Sequence, residues 1–363
     1  MSYVDRKKFY GQIENLRKRP LISYVTSIRP NMGGNMTGDS ISSIIELVDL
    51  IPKDKKEIDL LIISNGGDPI TSLRIISLLR ERFEKISVLL PYVAYSAATI
   101  LALGADEIIM HPFSNLGPID PQLIVSKQNF QGQPQQMHFS SEDLRNYIDF
   151  LKSDVNLTDQ SQLNSALMPL ISEVGALSIG NAKRSQQLSL ALSEKMLTTH
   201  MVDKGKATTI AKALNSSYYH HGYAVSRKEA EDLGLNIIRP EQKLEKLLWN
   251  IWKDFSNEMK CDVTFDIMQE LMSNPTIYAQ INNVPTVNIP VNTPPQIIQQ
   301  IWAQVTQNIT VSTQAATTLQ LLIAAIESTR HVKSLYNDVE VLYWRAQDMS
   351  LQFNATIHSK GWQ

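Results

Sequence analysis

Short, largely apolar runs recur at residues 21–28, 58–63, 86–90 and 107–110, and each reads as a buried strand. Between them lie stretches whose apolar residues fall at helical spacing: Ile41, Ile44, Ile45 and Val48 within 40–50, and Ile70, Leu73, Ile76 and Leu79 within 69–83. Strands that are apolar throughout, alternating with amphipathic helices, predict an α/β fold whose parallel sheet is covered by helices on both faces.

Residues 86–105, ISVLLPYVAYSAATILALGA, carry no formal charge over a length able to cross a bilayer. Pro91 breaks the pattern, which divides the stretch into a strand at 86–90 and a helix at 97–103. Their junction, Tyr95-Ser96-Ala97-Ala98, sets one hydroxyl among small residues at a strand-to-helix turn. Backbone N–H groups there favour developing negative charge. Ser96 is therefore a candidate nucleophile, and its other reading is an N-cap. The strand at 58–63 ends in a second small-residue turn, Ser64-Asn65-Gly66-Gly67-Asp68. Parallel sheets carry their sites at the carboxyl ends of strands, so the two turns are expected at one edge. Gly66 and Gly67 can offer backbone N–H groups unobstructed by side chains, as an oxyanion hole requires.

The pattern past residue 122 is strand-like to 139 around a QGQPQQ turn. Helical stretches follow at 142–151 and at 163–197, the latter carrying Lys183, and another helix ends at Leu214. Tyr218-Tyr219-His220-His221-Gly222-Tyr223 precedes a helix with a capping box at Ser226 and Glu229 and a stop at Gly234. Composition shifts after Pro240. Leu244, Leu247, Leu248, Ile251, Trp252 and Phe255 form one helical face. Residues 274–295, rich in Asn, Pro, Val and Thr, read as an extended arm. Thr293-Pro294-Pro295 then open long helices that close the chain, with Trp302, Leu319, Leu322, Ile323, Ile326, Leu335, Leu342 and Trp344 buried against a partner surface. The expected division is an α/β domain at 1–239 and a mostly helical extension at 240–363 serving oligomerisation or partner binding.

The chain has 363 residues and a formal charge of −2, which gives no reason to expect nucleic acid as a partner. A single cysteine, Cys261, excludes an internal disulfide and fits a reducing, cytoplasmic compartment. The N-terminal twenty residues lack the apolar core of a secretory signal. Phe9, Ile13 and Leu16 predict a short docking helix there, and Arg17-Lys18-Arg19 reads as a solvated charge run. No G-x-x-x-x-G-K-[ST] loop and no His/Cys cluster of zinc spacing occurs, so neither ATP nor a metal nor another cofactor is expected. No second apolar run of spanning length follows 86–105; membrane association is not indicated by the sequence and is left open by it.

Residues 56–125 join strand-GG, YSAAT, ALGADEIIM and LGPIDPQ in one order. The combination resembles the serine dehydrogenase proteinase family, relatives of signal-peptide peptidase and of the Clp proteolytic subunit with the Clp/crotonase fold. A weaker similarity runs to residue 239 through HHGYAVSRKEAEDLGL. The resemblance implies an ATP-independent serine endopeptidase that cleaves protein or peptide substrates through an acyl-enzyme, built as a trimer-based homo-oligomer. It puts Ser96 at the nucleophile position and Gly67 and Ala97, with Gly66 beside them, at the oxyanion-hole amides. The sequence departs from the family at Asn65-Gly66-Gly67, where Pro-Gly-Gly is usual, and at Ala97-Ala98, where a glycine is common. Clp-type peptidases place a histidine about where Asp120 stands and an aspartate close to His221. Signal-peptide peptidases use a lysine, for which Lys183 is the candidate. A lysine base must be brought from about 10.4 to about 7–8 by burial, whereas a histidine needs no such shift. The base is thus open between His221 and Lys183, with Asp120 orienting. The opposing reading is a catalytically silent scaffold of the same fold in which Ser96 only caps a helix; acyl-CoA chemistry is a third.

Overall fold

The computed structural model describes residues 2–128, 134–216, 218, 220–281, 287–308, 315–346 and 350–363. Helix α1 (Tyr3–Arg17) leads into β1 (Leu21–Thr26), α2 (Ser40–Asp49), β2 (Glu57–Ile63), α3 (Pro69–Arg82), β3 (Lys85–Leu90), β4 (Val93–Ala94), α4 (Ala97–Leu103), β5 (Glu107–Met110) and β6 (Asn115–Leu116). Residues of β1, β2 and β3 are buried along nearly their whole length, because both faces of the sheet are covered. The Gly-Gly turn after β2 runs straight into α3: the Asp68 carboxylate accepts from the Ile70 N–H, and Pro69 takes the first helical position, where no donor is lost.

A hairpin of β7 (Gln122–Gln128) and β8 (Pro134–Ser140) stands apart from the main sheet. Helix α5 (Ser141–Asp149) opens with a Ser140–Asp143 capping box and passes into a π turn, Phe150–Asp154. The helical stretch expected at 163–197 is two helices, α6 (Gln160–Val174) and α7 (Ala176–Leu197), which meet at an 87° bend. Gly175 makes the break with φ 89°, a conformation that suits glycine. Among the described residues no single helix is long and apolar enough to cross a membrane. Then come α8 (Lys204–Ser216), β9 (Val225–Ser226), α9 (Arg227–Asp232) and β10 (Ile237–Ile238).

Past residue 240 the helices are α10 (Gln242–Met259), α11 (Ile267–Ser273), α12 (Pro275–Ile281) and α13 (Pro295–Asn308). The first part of the expected arm is therefore helical. Helix α13 starts at the residue the Thr-Pro-Pro signal indicates, but long helices do not close the chain. From Ala315 it forms an antiparallel meander, β11 (Ala315–Ser328), β12 (Val332–Arg345) and β13 (Leu351–Trp362). The decisive pattern is period two: Val339, Val341 and Tyr343 are buried while Glu340 between them is exposed. These are also β-branched and aromatic residues, which favour strands.

The meander joins the main sheet. Its order is β10-β5-β3-β2-β1-β11-β12-β13; β10 through β1 run parallel, and β11 pairs antiparallel with β1 from Ile22↔Ser328 to Thr26↔Ala324. The sheet thus continues across residue 240. One face packs on α2, α3, α4, α7 and α8 through residues such as Ile44, Ile76, Leu101, Met196 and Ile210. The other packs on α1 and α10 through Tyr10, Ile13, Leu248, Ile251 and Phe255. Arg6 of α1, 1% exposed, bonds Glu327 of β11 at 2.6 and 2.9 Å and Asp254 of α10 at 2.7 Å, and also pairs with Glu258.

Candidate active site

The ends of β2 and β4 come together in a small backbone lattice. Ser64 N–H donates to Val93 O and Tyr95 N–H donates to Ser64 O, both at 3.0 Å. The Ser64 hydroxyl accepts from Gly66 N–H at 3.0 Å and from the Thr26 hydroxyl at 2.8 Å. Gly66 and Gly67 have φ of 109° and 144°, a region that L side chains rarely enter. A Cβ on Gly66 would stand 2.7 Å from Tyr95 O and 2.9 Å from Ser96 Cβ. A Cβ on Gly67 would stand 2.4 Å from Met36 O, since residue 67 pairs as a bridge with Met36. Glycine at both positions lets this turn lie directly against the Ser96 turn.

Ser96 has φ 51° and ψ −119° at the start of α4. Its hydroxyl makes no cap to the helix, and among the described residues it has no hydrogen-bond partner. The N-cap reading of the sequence is therefore not what holds it. The backbone is fixed instead by Ala98 N–H to Tyr95 O at 2.9 Å, Ile100 N–H to Ser96 O at 3.1 Å, and the Ser72 hydroxyl to Ala97 O at 2.6 Å. Among the described residues the Gly67 and Ala97 N–H groups have no acceptor.

Strand β4 pairs in parallel with β6, Ala94 beside Leu116. The Tyr95-Ser96 turn and the Gly117-Pro118-Ile119-Asp120 segment therefore leave this small sheet at the same end. Thr99 ties them: its hydroxyl lies 2.7 Å from Ala94 O and 3.0 Å from Gly117 O, and accepts from Gly117 N–H at 3.1 Å. Sequence reasoning passed over Thr99, a lone hydroxyl in an apolar helix.

Asp120 is buried, and its Oδ1 lies 2.8 Å from Nδ1 of His221. Oδ2 accepts from Gln122 at 2.9 Å. An Nδ1–H donated to Asp120 leaves Nε2 of the half-buried His221 as the acceptor. Neighbouring His220 is exposed and accepts from Gly222 N–H. The cleft beside the pair is polar, lined by Gln122, Ser140, Glu142 and Tyr218. Tyr218 stacks on Tyr223 at 4.6 Å, and its burial, with Glu229 nearby, raises its phenol above the usual range.

Lys183 is elsewhere. It is exposed on α7, with Nζ 3.2 Å from the Gln186 side chain, and it lines a separate cleft with Leu144, Ile148 and Ile179. The enclosure that a lysine base requires does not surround it. Among the described residues no group of three or more His, Cys, Asp or Glu is placed to hold a metal ion.

Residues 35–129 match the family model described as ClpP-like SDH-type serine proteinase. The matched residues take in Gly66, Gly67, Ser96, Ala97 and Asp120; His221 and Lys183 lie beyond them. Two curated proteins of Methanocaldococcus jannaschii, Uncharacterized protein MJ1495 and Uncharacterized protein MJ0137, are each 38% identical to this chain over 88 residues. That stretch is 24% of this chain and 30% of each relative. Among solved structures, a mutant of the 1510-N membrane-bound stomatin-specific protease aligns with TM-score 0.38 and 14% identity, over 63% of this chain and 84% of that one. ClpP1 from Listeria monocytogenes aligns with TM-score 0.33 and 13% identity, over 64% of this chain and 99% of that one.

Proposed function

We propose that the protein is a serine peptidase with Ser96 as nucleophile, His221 as general base and Asp120 as its orienting partner. Ser96 Oγ attacks the scissile carbonyl carbon and passes its proton to His221 Nε2. The carbonyl oxygen becomes an oxyanion that accepts from the Gly67 and Ala97 N–H groups; one such donor is typically worth about 2.7–4 kcal/mol. His221 then returns the proton to the leaving amine, an acyl-enzyme remains on Ser96, and water activated by His221 releases it. Nothing in these steps draws on ATP. The chain order Ser, Asp, His differs from the Ser, His, Asp of Clp-type enzymes, which a triad tolerates because roles rather than order define it. The Ser96 hydroxyl and His221 are not hydrogen-bonded to each other in the structure, and the first step requires them to close on one another in the substrate complex.

The observation that carries this reading is the Ser96 backbone. A non-glycine residue in so sparsely populated a conformation costs about 1–3 kcal/mol, and here it is kept without the cap bond that a purely structural serine would make. The Asp120–His221 pair favours histidine over Lys183 as base. The matched family supports serine peptidase chemistry in general; protein or peptide substrates and a homo-oligomeric state are part of the same reading.

The test is labelling of the purified full-length chain with a fluorophosphonate probe, followed by peptide mapping. Labelling at Ser96, lost in Ser96→Ala and in His221→Ala and kept in Lys183→Ala, is the expected result. No labelling between pH 6 and 10 overturns the assignment in favour of the silent scaffold, and labelling of another serine overturns Ser96 as the nucleophile.

A further inference from the structure

Strand β13 is the outermost strand of the eight-stranded sheet. Its inner edge pairs with β12 from Leu335↔Trp362 to Arg345↔Leu351, and among the described residues its outer edge has no strand partner. From Gln352 to Lys360 every residue is exposed, on both faces. A strand so placed gains little from burial, which is what ordinarily stabilises strands.

Its chemistry is that of an edge made to be paired. Phe353, Ala355 and Ile357 continue the apolar face of Tyr343, Val341 and Val339, with which they are in register. The cluster of Phe265, Leu271 and Ile277 covers the β12 residues, but Phe353 remains 37% and Ile357 52% exposed. Residues 351–359 contain no proline and no Asp, Glu, Lys or Arg, the devices that normally blunt an open edge. Lys360, just beyond, is occupied by Asp338 at 2.7 Å.

We propose that β13 is the surface through which two copies of this chain join, edge to edge and antiparallel, into one continuous sheet. An antiparallel strand is its own complement about a two-fold axis. With the axis at Ala355, Phe353 stands opposite the partner's Ile357, and the same contact recurs on the other side. Gln352 meets the partner's His358, and no like charges are brought together. An unrelated peptide would also find backbone partners here, but only a second copy repeats the Phe–Ile contact by symmetry.

The inference makes no use of Ser96, so the probe labelling and the test below fail independently. The test uses the full-length chain, with mass measured by light scattering and with Ala355→Cys. Cys261 is buried, which leaves the introduced thiol as the accessible one. Opposed Cα atoms in an antiparallel pair are about 4.5–5.5 Å apart, within disulfide reach. The expected results are an assembly containing an even number of 40.9 kDa chains, a halving of that mass by Ile357→Lys, and a covalent pair on oxidation of Ala355→Cys that reductant reverses. Ile357 is exposed, so the lysine does not disturb a core. A monomeric wild type, an assembly indifferent to Ile357→Lys, or an Ala355→Cys protein that does not cross-link each overturns the proposal.

Discussion

His221 Nδ1 and Asp120 Oδ1 stand 2.8 Å apart although 101 positions separate them. A carboxylate in that place fixes which ring nitrogen carries the proton. Asp120→Asn keeps the shape and, by offering an amide N–H to Nδ1, favours the wrong tautomer. Turnover is expected to fall on the order of 10²–10⁴-fold, with thermal stability little changed. Rates on a fluorogenic peptide beside a melting curve check this; an unchanged rate removes Asp120 from the mechanism.

Gly66 and Gly180 form a matched pair of tests. Alanine at Gly66 meets Tyr95 O at 2.7 Å in a backbone with φ 109°, so Gly66→Ala should lose about 1–3 kcal/mol of stability and abolish probe labelling of Ser96. A Cβ on Gly180, inside α7, meets nothing within 4 Å. Gly180→Ala should stabilise by up to about 1 kcal/mol and leave labelling intact. Urea titration of both variants reads the contrast.

Thr99→Val removes the hydroxyl that links Ala94 and Gly117 while preserving volume. The buried Gly117 N–H keeps Ala94 O as acceptor at 3.0 Å and loses only its 3.1 Å contact with the hydroxyl, so the cost is that of the hydroxyl's own hydrogen bonding, about 0.5–1.5 kcal/mol. Because Thr99 couples the Ser96 turn to the segment leading to Asp120, kcat should fall more than stability alone explains. Equal activity at a temperature where the variant is fully folded would contradict this coupling.

Arg6 is enclosed with Glu327 and Asp254, whose side chains are each 1% exposed. Arg6→Ala leaves the Glu327 carboxylate buried without its cation, and breaking a buried pair in this way costs about 3–5 kcal/mol. Denaturant unfolding should show the loss, and limited proteolysis should show α1 released first.

Glu107 gives a pH signature. Burial alone would raise its carboxyl, but hydrogen bonds from Ser87, Lys85 and Arg17 outweigh that and hold it at about 2, below the ordinary 4.5. A depressed carboxyl contributes stability that is complete above about 4.5 and is lost as pH falls toward 2. Neighbouring Asp59, pushed up to about 6 chiefly by burial, with the Glu107 charge adding a lesser part, runs the other way; Glu107→Gln relieves only that lesser part. The wild-type urea midpoint should therefore drop more steeply than that of Glu107→Gln between pH 4.5 and 2.

Much of the candidate site was legible because it lies in local pattern. Apolar strands followed at once by Gly66-Gly67 and by Tyr95-Ser96 announce two turns at one sheet edge. Thr99 was not legible, since its partners are main-chain atoms of Ala94 and Gly117 that become neighbours only when β4 and β6 pair. The C-terminal strands were hidden by coincidence: Leu319, Leu322, Ile323 and Ile326 fall at helical spacing, while the alternation of Val339, Val341 and Tyr343 carried the correct period. Lys183 and His221 were indistinguishable as bases in one dimension. In the structure Lys183 is exposed on α7 and His221 contacts Asp120, and the proposed assignment of the base rests on that difference.

The backbone oxygen of Glu327 lies 3.3 Å from the Ser23 hydroxyl, across 304 positions of chain. Strand β1 is thus synthesised long before β11, the strand it must wait for. At about 5–20 residues per second the wait is roughly 15–60 s. Throughout it, the edge of β1 that β11 will cover stays open to any passing strand. Synthesis of this protein therefore includes a long interval of exposure that a chaperone, or the slow arrival of its own C-terminal meander, must bring to an end.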